Sequence, residues 1–238
     1  MVARKVLVAI TASLVLVPAF SARAEVSTHR HLPGIDVSHW QGTIDWSAVA
    51  GAGVKFVIAK ATEGQTFDDP NYSSYKIDAQ TERISFTAYH FARPDSGTND
   101  AVLEADHFFD VADLVSGNLI PALDLEDSGG LSTTALTDWV FDWLGEVEAQ
   151  LGLKPMIYTS PSFWEEEMGD TQAFADAGYS LLWIAHWDVP KPRVPGNNWG
   201  GFGWTFWQRS NCMSIPGIDG CVDGDVYNGS SLRRVRIP

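Results

Sequence analysis

Near the middle of the chain, a short apolar segment ends in acidic residues, with Asp124 and Glu126 two positions apart and Asp127 directly after them. On a β-strand, residues two apart share a face, so Asp124 and Glu126 would point to one side and Asp127 to the other. Neighbouring buried carboxyls raise at least one pKa, and a carboxyl that stays protonated near neutral pH can act as a general acid. The spacing is therefore compatible with glycoside hydrolysis, which commonly uses two carboxyl groups, but alone it does not single out that function. Helix caps, calcium sites and structural hydrogen bonds are alternative uses of the same pattern.

Two further carboxylates could join this pair if the chain forms a closed barrel. Asp36 lies in a predicted first strand, Gly34–Ser38, and Asp223 lies close to the C-terminus. Closure of a barrel brings the first and last strands together, and the active sites of parallel barrels lie at the carboxyl ends of the strands. We therefore expect Asp36 and Asp223 to flank the Asp-x-Glu pair. Asp225 is an alternative candidate on the last strand.

Aromatic residues lie at the ends of several predicted strands, which suits a sugar-binding site. The chain has ten Trp, and pyranose rings stack their C–H faces on aromatic rings. The candidates at strand ends are Trp183, Trp187, Trp204, Trp207, Tyr89 and Tyr158. Trp139 and Trp143 lie on a predicted helix, and we expect them to pack in the core, as we do for Trp46.

These residues need a scaffold of alternating strands and helices to bring them together. Eight segments are typical of strands: Gly34–Ser38, Phe56–Ala61, Ile84–Phe91, Leu119–Glu126, Met156–Tyr158, Leu181–Ala185, Phe202–Gln208 and Gly220–Val226. The spacing of apolar residues predicts a helix over Thr133–Gly152, with weaker helical patterns at Asp69–Arg83 and Ala101–Ala112. Repeated strand–helix units favour an α/β fold with a mostly parallel sheet closed into a barrel.

The C-terminal third has a different character. Pro190–Gly203 is rich in Pro, Gly and Asn, which predicts mostly loop. Cys212 and Cys221 are the two cysteines, and an exported protein can oxidise them to a disulfide. The bridge would close a loop of about ten residues and stabilise the fold by about 2.5–3 kcal/mol. Two free thiols are the alternative, whereas a metal site is disfavoured because no histidine lies near the pair.

The N-terminus has the layout of a secretory signal peptide. Two basic residues precede an apolar run that ends at Phe20, and small residues around Ala24 form a cleavage site. We expect residues 1–24 to be removed and the mature domain, 25–238, to be secreted; an uncleaved anchor is the alternative. Loss of three positive charges would change the net charge from −14 to −17. Such a charge disfavours binding to nucleic acid or to an anionic membrane.

Taken in order, the motifs of this chain resemble those of the family 25 glycoside hydrolases, which include lysozymes of streptomycetes, fungi and phages. The resemblance is spread over the whole mature domain. Its motifs are the segments 34–42 (GIDVSHWQG), 56–64 (FVIAKATEG), 88–91 (AYHF), 124–126 (DLE), 157–159 (IYT), 182–187 (LWIAHW), 206–208 (FWQ) and 222–223 (VD). Any one of these segments alone has little specificity, whereas their order and spacing together are highly specific.

The resemblance implies a single flattened (β/α)5(β)3 barrel, similar to a TIM barrel, that hydrolyses the β-1,4 bond between N-acetylmuramic acid and N-acetylglucosamine of bacterial peptidoglycan. It implies that Glu126 is the general acid/base and that Asp124 is its partner, either as nucleophile or by orienting the acetamido group of the substrate. Asp36 and Asp223 are the other implied pocket carboxylates, and Asp223 is preferred to Asp225. The implied substrate-binding residues are Tyr89, Tyr158, Trp183, Trp207 and Glu63. We expect a monomer that needs neither a cofactor nor a metal.

Two other functions compete with this interpretation. The segment 66–70 (TFDDP) imitates the acidic start of polysaccharide deacetylases, but those enzymes need a His-x-x-x-His metal pair, and none of the six histidines are so spaced. The stronger alternative is a protein that binds glycan on the same scaffold without cutting it. The presence of all four acidic residues favours catalysis. The sequence does not distinguish the nucleophilic route from the acetamido-assisted one.

Overall fold

The computed structural model describes residues 31–238, and the predicted signal peptide at 1–24 lies outside the described residues. The strands are β1 Leu32–Val37, β2 Phe56–Glu63, β3 Phe67–Asp68, β4 Ser85–Phe91, β5 Ala122–Asp124, β6 Met156–Thr159, β7 Leu182–Ala185, β8 Phe206–Met213 and β9 Val222–Tyr227. The right-handed α-helices are α1 Trp46–Gly51, α2 Tyr72–Thr81, α3 Asp100–Ala112, α4 Thr133–Leu151, α5 Pro161–Glu166 and α6 Ala173–Asp176. Short 3-10 helices span His39–Gln41 and Leu232–Val235. Among the helices of residues 31–238, none combines the length and the apolar character that a membrane span requires.

The longest helix, α4, forms where the apolar periodicity predicts it. The Ser132 side chain accepts a hydrogen bond from the Ala135 N–H at 3.3 Å and so caps the first turn. Gly152 ends the helix in the left-handed conformation, with φ 73°, which glycine adopts without steric cost. One stripe of the helix is buried against the sheet: Leu136, Trp139, Val140, Trp143, Leu144 and Val147. Burial of Trp139 and Trp143 agrees with the packing role expected for them.

Eight of the strands close into a barrel. The hydrogen-bonded order is β1-β9-β8-β7-β6-β5-β4-β2, and β1 pairs with β2 to complete the ring; β3 is a short addition to the end of β2. The barrel strands from β1 to β8 pair in parallel, whereas β9 runs antiparallel to both β8 and β1, and the added β3 runs antiparallel to β2. Helices follow each of the first five barrel strands, and the last three strands follow one another without such helices. The predicted α/β class and the (β/α)5(β)3 barrel are confirmed.

The alternation of side chains along the strands sorts residues between two cores. Outward residues such as Ile35 and Val37 join the large core between the sheet and the helices. Inward residues form a second core inside the barrel, which includes Phe56, Ile58, Met156, Phe206 and Tyr227. Leu232 and Val235 of the C-terminal 3-10 helix complete this inner core. The inner core leaves the carboxyl ends of the parallel strands to polar side chains.

Two predicted strands have different bounds in the structure, one shortened and one shifted along the chain. The segment Leu119–Glu126 contributes only Ala122–Asp124 to the barrel, because the Ile120 N–H donates instead to the Val235 carbonyl at 2.8 Å. Pro121 follows and has no N–H to donate to a ladder. The segment Phe202–Gln208 begins its strand at Phe206, since Gly200, Gly201 and Gly203 all have positive φ and turn the chain.

The segment predicted as loop, Pro190–Gly203, contains one helical turn at Pro195–Gly200, and residues 196–199 of this turn are left-handed, with φ between 51° and 60°. Gly and Asn tolerate this conformation, but Trp199 does so only at a cost. Its indole is fully buried and donates to the Tyr179 carbonyl at 2.8 Å, which holds the residue in place. Pattern reasoning misses this turn because its stability comes from that tertiary contact.

The predicted disulfide is confirmed. Cys212 and Cys221 are bonded and connect the end of β8 with the residue before β9. The backbone between them contacts the start of α1, since the N–H of Asp45, the N-cap of that helix, donates to the Gly217 carbonyl at 2.8 Å. The bridge therefore closes a loop that lies next to the strand carrying Asp223.

Candidate active site

A cavity of about 210 Å³ opens at the carboxyl ends of the parallel strands. Seven residues that the sequence nominates line it: Asp36, Tyr89, Asp124, Glu126, Tyr158, Trp183 and Asp223. They come from six different strands or the residues directly after them, so the barrel itself brings them together. We refer to this space as the catalytic cavity.

Asp124 and Glu126 occupy different depths of the catalytic cavity. Asp124 is buried, and its Oδ1 atom has no hydrogen-bond partner among the described residues. Burial raises its pKa well above the usual range, and the nearby Glu126 charge raises it further. The Glu126 side chain reaches the cavity mouth, yet the surrounding protein displaces enough of its water to raise its pKa, and Asp223 adds to this effect. The pair can therefore retain a proton at a pH where isolated carboxyls are ionised.

Asp36 is held by a hydrogen-bond network that crosses the barrel. The Gln208 amide Nε2 donates to Asp36 Oδ2 at 2.9 Å. Gln208 Oε1 accepts from the Tyr158 hydroxyl at 3.0 Å and from Trp187 Nε1 at 2.7 Å. These two donors fix the orientation of the amide, because only its oxygen can accept them. Gln208 thus joins Asp36 and Tyr158, which line the catalytic cavity, to Trp187 outside it.

The structure separates the two candidates on the last strand. Asp223 lies opposite Asp36 in the β1–β9 ladder and lines the catalytic cavity. Asp225 lies beneath, fully buried, and accepts a hydrogen bond from Trp183 Nε1 at 2.7 Å. Burial raises the pKa of Asp225 to about 7, and burial together with the nearby Asp225 charge raises the pKa of Asp36. Asp223 is therefore the carboxylate open to the cavity, whereas Asp225 holds the Trp183 indole from below.

A group of charged residues borders the acidic pair on the β2–β4 side. Lys60 lines the catalytic cavity and forms an ion pair with Glu63. The Arg93 guanidinium contacts Glu63 Oε1 at 2.7 Å and Asp127 Oδ2 at 2.8 Å. Lys60 and Arg93 oppose the upward shift in the pKa of Asp124, as opposite charges do. These cations favour the ionised form of one member of the acidic pair.

Two open spaces adjoin the catalytic cavity on opposite sides. The Trp40 groove, about 650 Å³, is lined by Trp40, Lys60, Phe67, Phe91 and Arg93 among others, and Glu63 lies in it rather than in the catalytic cavity. The Trp187 recess, about 370 Å³, shares Glu126 and Tyr158 with the catalytic cavity. A cleft of three connected spaces therefore runs across this end of the barrel.

Similarity to known proteins identifies the group to which this barrel belongs. The sequence profile described as Glycosyl hydrolases family 25 matches residues 35–218. The chain belongs to this family. It is 40% identical to Lysozyme M1 of Streptomyces globisporus over 84% of this chain and 69% of that protein. It is 31% identical to the N,O-diacetylmuramidase of Chalaropsis over 84% of this chain and 97% of that protein. The crystal structure of a bacterial lysozyme from Streptomyces coelicolor superposes with a TM-score of 0.78 at 37% identity, covering 86% of this chain and 95% of the other.

Membership of family 25 makes this protein a glycoside hydrolase of the lysozyme type, and the recognised resemblance is confirmed. The matched segment includes Asp36, Asp124 and Glu126, whereas Asp223 lies beyond its end. The nomination of Asp223 as a site residue is instead supported by its position in the lining of the catalytic cavity. Within residues 31–238, the acidic and histidine side chains form no group suited to hold a metal ion.

Trp207, nominated as a substrate-binding residue of this family 25 hydrolase, lines none of the three spaces of the cleft. The Trp207 side chain points to the outer face of β8, packs in the outer core and donates its Nε1 hydrogen to the His186 carbonyl at 2.8 Å. Its neighbours on the strand, Phe206 and Gln208, point inward because alternate residues face opposite sides. The structure therefore does not bring Trp207 to the cavity, and Gln208 takes the place on the inner face.

Sequence reasoning missed several residues that border the cleft of this hydrolase. Lys60 interrupts the apolar run at residues 56–61 of β2, and a charge at a buried strand position was the signal that could have revealed it. Gln208 ends a predicted strand, but only its hydrogen bonds to Asp36, Tyr158 and Trp187 show its role. Arg93 lies on a loop and the highly exposed Trp40 on a three-residue 3-10 helix, and periodicity carries no information in segments of either kind.

Proposed function

We propose that this family 25 hydrolase is a secreted muramidase that cleaves the β-1,4 bond between N-acetylmuramic acid and N-acetylglucosamine in bacterial peptidoglycan. The observation that carries the proposal is the Asp124–Glu126 pair at the end of β5. Asp124 lies at the bottom of the catalytic cavity, and Glu126 lies at its mouth. The printed names of its relatives, a lysozyme and an N,O-diacetylmuramidase, support peptidoglycan as the substrate. The expected signal peptide supports export of residues 25–238.

In this proposal Glu126 is the general acid/base. Its raised pKa keeps a proton available for the oxygen of the scissile bond, and its position at the cavity mouth gives it access to that oxygen. After the leaving sugar departs, the ionised Glu126 can accept a proton from the incoming water. Asp223 increases the pKa shift because two nearby carboxylates resist joint ionisation.

Asp124 is the partner carboxylate. Its unpaired Oδ1 atom is buried in the cavity, where it can attack the anomeric carbon or accept a hydrogen bond from the acetamido N–H of the substrate. Both routes retain the anomeric configuration, because each proceeds through two displacements at the same carbon. Asp36 and Asp223 would stabilise the positive charge that develops on the sugar ring, and Tyr89, Tyr158 and Trp183 would bound the ring.

The proposal is tested with purified peptidoglycan and the protein without residues 1–24. Wild type and Glu126→Gln are incubated with the polymer, and the released sugars are identified by mass spectrometry after reduction of their free ends. Glu82→Gln is a matched control, since Glu82 is exposed and follows α2, away from the cavity. We expect reducing-end N-acetylmuramic acid from wild type and control, and almost none from Glu126→Gln.

Two results would reject parts of this proposal. Reducing-end N-acetylglucosamine in place of N-acetylmuramic acid would show that the cleaved bond is the other one in the repeat. Absence of fragments from wild type, with retained binding to the polymer, would support the non-catalytic glycan-binding alternative.

A further inference from the structure

The Trp187 recess differs from the catalytic cavity in the carboxylates that border it. Glu126 lines both spaces, whereas Asp36, Asp124 and Asp223 line only the catalytic cavity. A general acid must reach the oxygen that joins the two sugars of the scissile bond, so it faces both of them. The partner carboxylates act on the sugar whose anomeric carbon is attacked. The recess that shares only Glu126 therefore lies on the leaving-group side of the bond.

Trp187 supplies the recess with a fixed aromatic face. Its side chain is 44% exposed, while its Nε1 atom donates to Gln208 Oε1 at 2.7 Å. This hydrogen bond anchors one edge of the indole and leaves ring surface open to solvent in the recess. A pyranose can stack on that surface without displacing any protein group. Because Gln208 also holds Asp36, the same amide sets the relative positions of the two spaces.

The polar groups of the recess suit a neutral sugar. The hydroxyls of Ser160 and Ser162 lie 3.1 Å apart at its edge and can exchange hydrogen bonds with sugar hydroxyl or acetamido groups. The Arg193 guanidinium is already paired with Glu165, so it does not require an anionic ligand. In the proposed substrate the leaving sugar is N-acetylglucosamine, which carries no carboxylate.

We propose that the Trp187 recess binds the leaving N-acetylglucosamine unit of the substrate, with the indole of Trp187 as its stacking platform. This inference rests on the proposed muramidase function. It gives the glycan a direction across the barrel: the attacked muramic acid lies over Asp124, and the reducing end of the chain extends past β6 and β7. The Trp40 groove then lies on the side of the non-reducing end.

The test compares two substrates that share the attacked half and differ only in the leaving group. One is the tetrasaccharide of alternating N-acetylglucosamine and N-acetylmuramic acid, whose central cleavage expels a disaccharide. The other is the β-fluoride of the disaccharide that forms the attacked half, and its cleavage expels only fluoride. The value of kcat/KM is measured on both for wild type, Trp187→Ala and Trp187→Phe. Phe202→Ala is the control for loss of an exposed aromatic side chain outside the cleft.

We expect Trp187→Ala to lower kcat/KM on the tetrasaccharide about tenfold or more, and on the fluoride by no more than about twofold. Trp187→Phe keeps an aromatic face but lacks the indole N–H, so the ratio between the two substrates should stay close to that of wild type. Equal losses on both substrates for Trp187→Ala would overturn the inference, since they would show an effect on the attacked sugar. Failure of wild type on both substrates would instead reject the proposed function.

Discussion

The Arg93 Nη1 atom lies 2.8 Å from Oδ2 of Asp127, the residue that directly follows Glu126. The same guanidinium contacts Glu63, which pairs with Lys60 inside the cleft. Arg93 therefore links the loop that carries the candidate general acid to the strand that carries the cavity cation. Its charge also lowers the pKa of both Asp124 and Glu126, against the larger upward effect of burial.

Replacement of Arg93 by Gln should move the pH profile of activity to higher pH. Loss of the cation removes a downward influence on the pKa of Glu126 and of Asp124, so both carboxyls should titrate higher. The remaining charged neighbours of Glu126, namely Lys60, Asp223 and Asp124, are unchanged in this variant. The measurement is kcat/KM against pH from about 3 to 9, where both limbs of a bell-shaped profile are visible.

Lys55→Gln is the matched control for Arg93→Gln. Lys55 is an exposed cation that precedes β2, whereas Lys60 lies towards the other end of that strand. The Lys55→Gln variant removes the same formal charge as Arg93→Gln, and its pH profile of kcat/KM should stay within experimental error of that of wild type. Equal shifts of the pH profile in both variants would show that the net charge of the protein, and not the position of Arg93, causes the shift. A lower kcat/KM in Arg93→Gln without any shift of the profile would show a purely structural role of Arg93.

More site residues could be predicted from the sequence at strand ends than on loops. Asp36, Asp124 and Asp223 could be predicted because strand alternation and barrel closure are periodic properties that the residues themselves display. Gln208 could not, since its importance depends on a contact with Asp36 across 172 positions of the chain. Trp207 was chosen on residue type, and the same alternation places it on the outer face.

The fold shows the same division. The helix α4 has an apolar stripe and both of its caps in sequence, so its existence and its ends were predictable. The left-handed turn at residues 196–199 was not, because Trp199 adopts its conformation only through burial and a bond to the Tyr179 carbonyl. Local patterns reveal regular elements, whereas tertiary contacts decide irregular ones.

A buried polar group behind the cleft should contribute strongly to stability. Glu104 Oε2 lies 2.7 Å from His90 Nε2 and accepts the Arg93 N–H at 3.1 Å. The variant Glu104→Leu would leave both groups without a partner, each at a cost of about 1–3 kcal/mol, so unfolding free energy should fall by at least about 2 kcal/mol. Glu104→Gln keeps an oxygen that can accept both bonds and should lose much less. Urea unfolding at pH 6 measures the difference, and equal losses would refute the hydrogen-bond explanation.

The same carboxyl should make stability depend on pH. Burial raises the pKa of Glu104 from 4.5 to about 8 in the folded protein. A raised folded-state pKa means that the contribution is fully present below the unfolded pKa, near 4.5, and is lost as pH rises through about 8. Wild type should therefore lose stability relative to Glu104→Gln between about pH 4.5 and 8.5. Urea unfolding of both proteins across this range gives the difference directly, and parallel curves would show that Glu104 ionises normally. His90 is present in both proteins, so its own titration contributes to both curves.

The disulfide between Cys212 and Cys221 should support stability more than catalysis. It closes a short loop with a sequence separation of 9, for which loop closure predicts a stabilisation of about 2.5–3 kcal/mol. Asp223 follows the bridge closely, but its position is also set by the β1–β9 ladder opposite Asp36. The double variant Cys212→Ser/Cys221→Ser should therefore unfold at lower urea concentration and keep most of its kcat/KM at a temperature where it stays folded. A loss of activity at that temperature, with native circular dichroism intact, would show instead that the bridge positions Asp223.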